Sequence, residues 1–134
     1  MRTVQEVGRG QQHETKVLVL CLDEHYPTTL VHWLRPAGMC VEIASNGRQA
    51  KQLLQSGGEW VLVTDRVLPP WPGLPRIASL KRVHKPLHVV AIDRGDPDSR
   101  YVALAAGADA IVSPSLRSDV VMRALRVAQG SDRG

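Results

Sequence analysis

The sequence contains no phenylalanine, and aromatic residues make up only 4% of its 134 positions. Any core it builds is therefore aliphatic, made of Val, Leu, Ile and Ala. Two cysteines are too few for a disulfide scaffold. No hydrophobic run approaches the roughly 20 residues of a membrane-spanning helix, and the N-terminus lacks the apolar centre of a secretory signal. Glycine is missing between Gly10 and Gly38. That removes the phosphate-cradling turn of a dinucleotide fold, and a P-loop fails for the same reason. GxSxG, HExxH and CxxC motifs are absent. The histidines (His13, His25, His32, His84, His88) lack metal-ligand spacing. His84 and His88 are separated by Pro86, which breaks any shared helix face, so they read as surface residues. A conventional enzyme and a membrane protein both find little support, and a cytoplasmic location is expected.

What remains is 43% hydrophobic and 22% charged, a balance that supports one folded domain. The formal charge is +4, and its distribution matters more than its size. Arg66, Arg76, Lys81, Arg82 and Lys85 fall in a stretch to Ile92 that has no Asp or Glu. It reads either as a solvated helix face or as a phosphate-seeking patch for anions or nucleic acid. No nucleic-acid motif or aromatic stacking pair accompanies it, so nucleic acid is not the favoured partner.

Residues 1–15 and 130–134 are polar and Gly-dotted, and read as flexible tails around a domain at 16–129. Within it, β-branched runs alternate with helical patterns. Val17–Leu22 is a continuous apolar run, as expected for a strand covered on both faces. Tyr26, Leu30, Trp33, Leu34 and Ala37 follow at helical spacing up to Gly38, a C-terminal stop. Further strands are predicted at Cys40–Ala44, Trp60–Thr64, Leu87–Ile92 and 109–112. Further helices are predicted at about 47–55, at 75–84, from the DPDSR segment to Ala106, and at about 117–129. Strict alternation of five strands and five helices predicts a doubly wound α/β sandwich of three layers. Its parallel sheet takes the flavodoxin-like order 2-1-3-4-5. In such sheets the site forms at the carboxyl ends of the strands. Here that edge is Cys21, Leu22, Asp23, Asp65, Ala91 and Ser113.

With these elements placed, the chain resembles a response-regulator receiver domain of two-component signalling, in an atypical or pseudo-receiver form. KVLVLCLDE resembles the first strand and its acidic turn. VLVTDRVLPPWPGL resembles the third strand, the phosphoacceptor Asp and the loop after it. LAAGADAIVSPS resembles the segment that usually ends in a Lys-Pro pair. The resemblance implies Asp65 as phosphoacceptor position and the carbonyl of Val67 as a metal ligand. It also exposes departures. The acidic pair that holds Mg²⁺ falls on Cys21 and Leu22, the signalling hydroxyl on Ala91, the phosphoryl-binding Lys on Ser113, and the switch aromatic on Ile111.

Phosphoryl transfer to a carboxylate needs a divalent cation and a second cation to hold the product. The departures remove both, so no metal or cofactor is expected; Mg²⁺ enters only if phosphorylation is retained, on Asp65, Asp23 and the Val67 carbonyl. A two-residue slip would restore an acidic pair from Asp23 and Glu24, whereas the plain reading makes Asp23 the cap of the first helix. Cys21 reads as a small apolar filler of the vacated position rather than a reactive thiol. Asp93, Asp96 and Asp98 lie beside the pocket and read as a helix N-terminal cap. Trp71 reads equally as a partner anchor or as a loop residue folded over the pocket.

The function expected is a stand-alone, non-enzymatic pseudo-receiver acting through a protein partner: a histidine kinase, a regulator or a second copy of itself. The resemblance places the contact surface on the fourth helix, fifth strand and fifth helix, with Arg100, Tyr101, Arg117, Arg123 and Arg126. The alternatives are a phosphorelay receiver working through Asp65, and an anion or nucleic-acid binder using residues 66–85.

Overall fold

The computed structural model describes residues 15–23, 25–66, 71–84, 86–93, 95 and 98–112. Its strands are β1 (Lys16–Leu20), β2 (Cys40–Ile43), β3 (Trp60–Thr64), β4 (Leu87–Ile92) and β5 (Ala110–Val112). They form one parallel sheet in the order 2-1-3-4-5. Between them run α1 (His25–Leu34), α2 (Gly47–Leu54), α3 (Ile77–Val83) and α4 (Ser99–Ala106). The helix expected at 117–129 and the segments 1–14 and 130–134 lie outside the described residues. The carbonyl of Thr15, just before β1, accepts the Cys40 N–H at 2.8 Å.

Alternation along each strand sends side chains to two cores. Val17, Val19, Val61, Val63 and Val90 pack with Leu30 and Leu34 of α1. Leu18, Leu20, Leu62 and Val89 pack on the other face with Leu54 of α2, Leu80 of α3 and Ala103 of α4. Every residue of β3 and β4 is buried, which is why both read as largely apolar runs, interrupted only by His88 and closed by Thr64. Each buried Val or Leu contributes about 1.5–3 kcal/mol over the exposed side chain. Register aligns Leu20, Thr64, Ala91 and Ile111 in one row across β1, β3, β4 and β5.

Several boundaries differ from expectation for local reasons. β1 ends at Leu20, because the chain beyond it turns its amides away from the ladder. The first helix gives way after Leu34 to a 3₁₀ turn at Arg35–Ala37, since Pro36 has no N–H for an α-helical bond. Gly38 then stops the chain at φ 94°. α3 begins at Ile77 rather than Pro75. His88, read as a surface residue, is buried in β4, with Nε2 3.8 Å from Glu59 Oε2.

Two contacts brace the sheet edge that carries the site. Asn46 Oδ1 accepts the Gln49 N–H at 2.8 Å and Gln49 Oε1 accepts the Ser45 N–H at 2.6 Å, closing the start of α2. The next residue, Gly47, is buried, and a Cβ there would collide with the carbonyl oxygen of Pro72. The turn at 71–74 therefore lies directly on α2, held by a Leu74 N–H bond to the Trp71 carbonyl.

Candidate functional site

At the carboxyl ends of β1 and β3 the chain turns at Cys21 and Asp65. Asp65 is buried, 5% exposed. Its carboxylate is gripped by two backbone amides: the Leu22 N–H donates to Oδ1 at 2.7 Å and the Asp23 N–H to Oδ2 at 3.1 Å. Such bonds to a charged acceptor are stronger than neutral ones. The Leu22 side chain, placed in the pocket by the resemblance, points outward and is 54% exposed; only its amide reaches Asp65.

Asp23 starts the loop and closes the first turn of α1. Its Oδ1 accepts the His25 N–H at 2.9 Å and lies 3.1 Å from His25 Nδ1, while its carbonyl accepts the Tyr26 N–H. The backbone bond from His25, then the side-chain bond, hold this carboxyl below its ordinary range. The two-residue slip is not adopted, because α1 starts directly at His25.

Burial pushes the Cys21 thiol well above its ordinary range, and the neighbouring Asp65 charge pushes it further. Cys21 is thus a protonated, half-buried filler. Lys16 pairs with Cys40 in the sheet, so Cys21 and Cys40 lie at opposite strand ends, and both thiols are free.

Ala91 is buried and Ile111 half-buried in the row that contains Thr64. Thr64 is the pocket residue that sequence reasoning passed over, although a hydroxyl directly before Asp65 was a visible signal. It is 1% exposed, and its Oγ1 donates to the Arg66 carbonyl at 3.1 Å. The same oxygen accepts from Trp71 Nε1 at 3.3 Å. That indole N–H also lies 3.0 Å from the Arg66 carbonyl, and the Arg66 guanidinium lies 5.4 Å from the Trp71 ring centre. Trp71 is therefore folded over the end of β3 and, partly buried, packs against the core, the second of the two readings its sequence offered.

Asp93 accepts the Gly95 N–H at 2.9 Å and lies 3.9 Å from Arg100 Nε. Asp98 holds the N-cap position of α4 with a helical backbone and no side-chain capping bond, so the expected aspartate cap is not formed there. Arg100 and Tyr101 are exposed on α4, Tyr101 at 78%. Glu24, Val67, Asp96, Ser113, Arg117, Arg123 and Arg126 lie outside the described residues.

A feature at the other end of the sheet, beside the start of β5, also escaped sequence reasoning. Lys81 Nζ of α3 lies 2.7 Å from both carboxylate oxygens of Asp109, and Asp109 Oδ2 accepts the Val89 N–H at 2.7 Å. Lys81 also donates to the Gly107 carbonyl at 3.2 Å. This half-buried cluster ties α3, β4 and the start of β5 together, and it takes Lys81 out of the basic face expected over 66–85.

Most of the chain is similar in fold to solved receiver domains. A receiver domain protein from Methanospirillum hungatei matches with a TM-score of 0.67 and 19% identity, over 91% of this chain and 100% of that one. The receiver domain of a signal-transduction histidine kinase from Syntrophus aciditrophicus matches with a TM-score of 0.69 and 21% identity, over 90% and 94% of the two chains. A chemotaxis protein from Vibrio cholerae matches with a TM-score of 0.66 and 19% identity, over 85% and 98%. The fold is that of a response-regulator receiver domain. No family model matches the sequence, and no curated protein matches it. The receiver likeness thus rests on shape and strand order rather than on overall sequence. No helix among the described residues of this receiver fold is long and apolar enough to cross a membrane.

Proposed function

We propose that the chain is a pseudo-receiver: a signalling module of the two-component type that acts through protein contacts and has lost phosphorylation at Asp65. The observation that carries this reading is the double amide clamp on the Asp65 carboxylate, from Leu22 and Asp23. The turn that would present metal-binding carboxylates presents backbone N–H groups instead. Their partial positive charge satisfies Asp65 without a cation.

A hard divalent cation such as Mg²⁺ asks for several oxygen ligands. Of the described residues at this edge, Cys21 offers a protonated thiol, Leu22 a hydrocarbon, and Asp23 a carboxylate engaged by His25. Asp65 keeps a second lone pair on each oxygen, so the losses that matter are the neighbouring charges. These residues do not fit Mg²⁺, and no step is routed through it. The reading is therefore non-enzymatic, without a resident cofactor, in a cytoplasmic setting.

The basic stretch gives the nucleic-acid reading less support, since Lys81 is paired with Asp109 and Arg66 covers Trp71. The partner surface remains the exposed side of α4 with Arg100 and Tyr101, facing a kinase, a regulator or a second copy.

The test is an amide NMR titration with Mg²⁺, followed by beryllofluoride as phosphoryl mimic. Unchanged resonances for Cys21–Asp23, Asp65 and α4 at millimolar Mg²⁺ are expected. Saturable shifts at Asp65 that spread to α4 and vanish in Asp65→Asn would instead establish a phosphorelay receiver.

A further inference from the structure

At the opposite edge of the sheet from Asp65, a cavity of about 520 Å³ opens between α2 and α3. Its volume lies within the usual range for small-molecule sites, which are largely apolar with a few placed polar groups. The apolar part comes from Leu54, Pro75, Leu80 and Val83. Val83 is 75% exposed at the end of α3, so a large hydrocarbon stands at the mouth with no apolar cover. Gly57 and Gly58 form the wall before β3, and a Cβ at Gly57 would meet nothing within 4 Å. The wall is open at Gly57, whereas at Gly58 it is backed by the Lys16 side chain.

The charge in the lining is Lys51, in the last turn of α2; Gln55, Ser79 and His84 are its other polar side chains, and no Asp or Glu among the described residues lines the cavity. Lys51 forms no salt bridge among the described residues. Ser79 Oγ accepts from Arg82 at 3.2 Å, which leaves its own O–H as a donor. An ammonium and a hydroxyl donor beside a hydrocarbon floor match a ligand with an anionic head and an apolar body.

We infer that this cavity binds a small amphipathic carboxylate, with its carboxylate on Lys51 and Ser79 and its hydrocarbon over Leu54, Leu80 and Val83. Charge-assisted bonds orient such a ligand, and displacement of water from the apolar floor contributes most of its affinity. The site is independent of Asp65, so it stands whether or not that residue accepts phosphate.

The test uses the whole chain and three probes: sodium octanoate, the neutral octanamide, and sodium acetate. By amide NMR, octanoate produces saturable shifts at Gly57, Gly58 and Val83. Octanamide binds about tenfold more weakly, a difference of about 1.4 kcal/mol, and acetate does not saturate. Lys51→Glu weakens octanoate by about tenfold and leaves octanamide unchanged. Lys51→Gln, which removes the charge without reversing it, gives a smaller loss in the same direction. Equal affinity for octanoate and octanamide overturns the proposal. So do shifts centred away from α2 and α3, the absence of saturation, or indifference to both Lys51 variants.

Discussion

Leu22 and Asp65 meet across the sheet edge, the N–H of one donating to the carboxylate of the other at 2.7 Å. The contact spans 43 residues and joins the β1–α1 turn to the end of β3. Asp23 makes the matching bond to the other oxygen. The carboxylate thus has a structural duty that exists without any phosphoryl group.

Asp65→Asn tests that duty. One amide keeps an oxygen acceptor, while the other faces an NH₂ group and loses its bond. The expected loss is about 1 kcal/mol of stability or somewhat more, the contribution of one part-buried hydrogen bond to a charged acceptor. Urea unfolding monitored by circular dichroism measures it. A variant as stable as the parent would show that the clamp holds nothing together.

The Thr64–Trp71 contact makes a different prediction. Trp71→Phe keeps most of the packing and removes the indole donor from Thr64 Oγ1 and the Arg66 carbonyl. It is expected to cost about 0.5–1.5 kcal/mol. In a double-mutant cycle with Thr64→Val the two losses should fall short of additivity by about 0.5 kcal/mol or more. Full additivity would mean that the two side chains are energetically separate.

For Lys81 and Asp109 the prediction is an asymmetry. Asp109→Ala strands both Lys81 and the Val89 N–H, and should cost about 2–4 kcal/mol through the loss of charged hydrogen bonds. Lys81→Met keeps the aliphatic stem and leaves Asp109 its Val89 bond, so its cost should be smaller, about 1–2 kcal/mol. Thermal unfolding of the two variants gives the order directly, and the reverse order would refute the assigned roles.

Cys21 provides the pH-dependent prediction. Its thiol titrates higher in the folded chain than in the unfolded one. The stability linked to this shift is therefore complete below the unfolded thiol's pKa. It is lost as pH rises through the folded value, because the unfolded state then binds fewer protons. Thiolate is the reacting form. In a Cys40→Ser background, DTNB should label Cys21 at least about tenfold more slowly than a free thiol at mildly alkaline pH. Rapid labelling there would contradict a protonated filler.

The architecture was legible because its signals are local and repeated. Val17–Val19, Trp60–Thr64 and Leu87–Ile92 are buried on both faces, so apolar residues dominate them, with His88 and Thr64 the polar exceptions. Leu30 and Leu34 sit one helical turn apart. Asp65 was legible by its place at the end of such a run. The partners that define its surroundings were not. The amides of Leu22 and Asp23 carry no sequence signature, since every residue except proline has one. Trp71 was ambiguous because an indole serves equally well in an interface or on a core, and only the position of Thr64 Oγ1 decides. Lys81 and Asp109 are joined across 28 residues, beyond the reach of any helical or strand period.

Gly47 overturns a rule of thumb used to stabilise helices. Alanine is the best helix former and glycine among the poorest, a difference near 1 kcal/mol in an open helix. At this first position of α2 the missing methyl is occupied space, taken by the Pro72 carbonyl and by Leu74. A consensus-style exchange to alanine would evict the turn that seats Trp71, so the preference inverts for a reason that lies outside the helix.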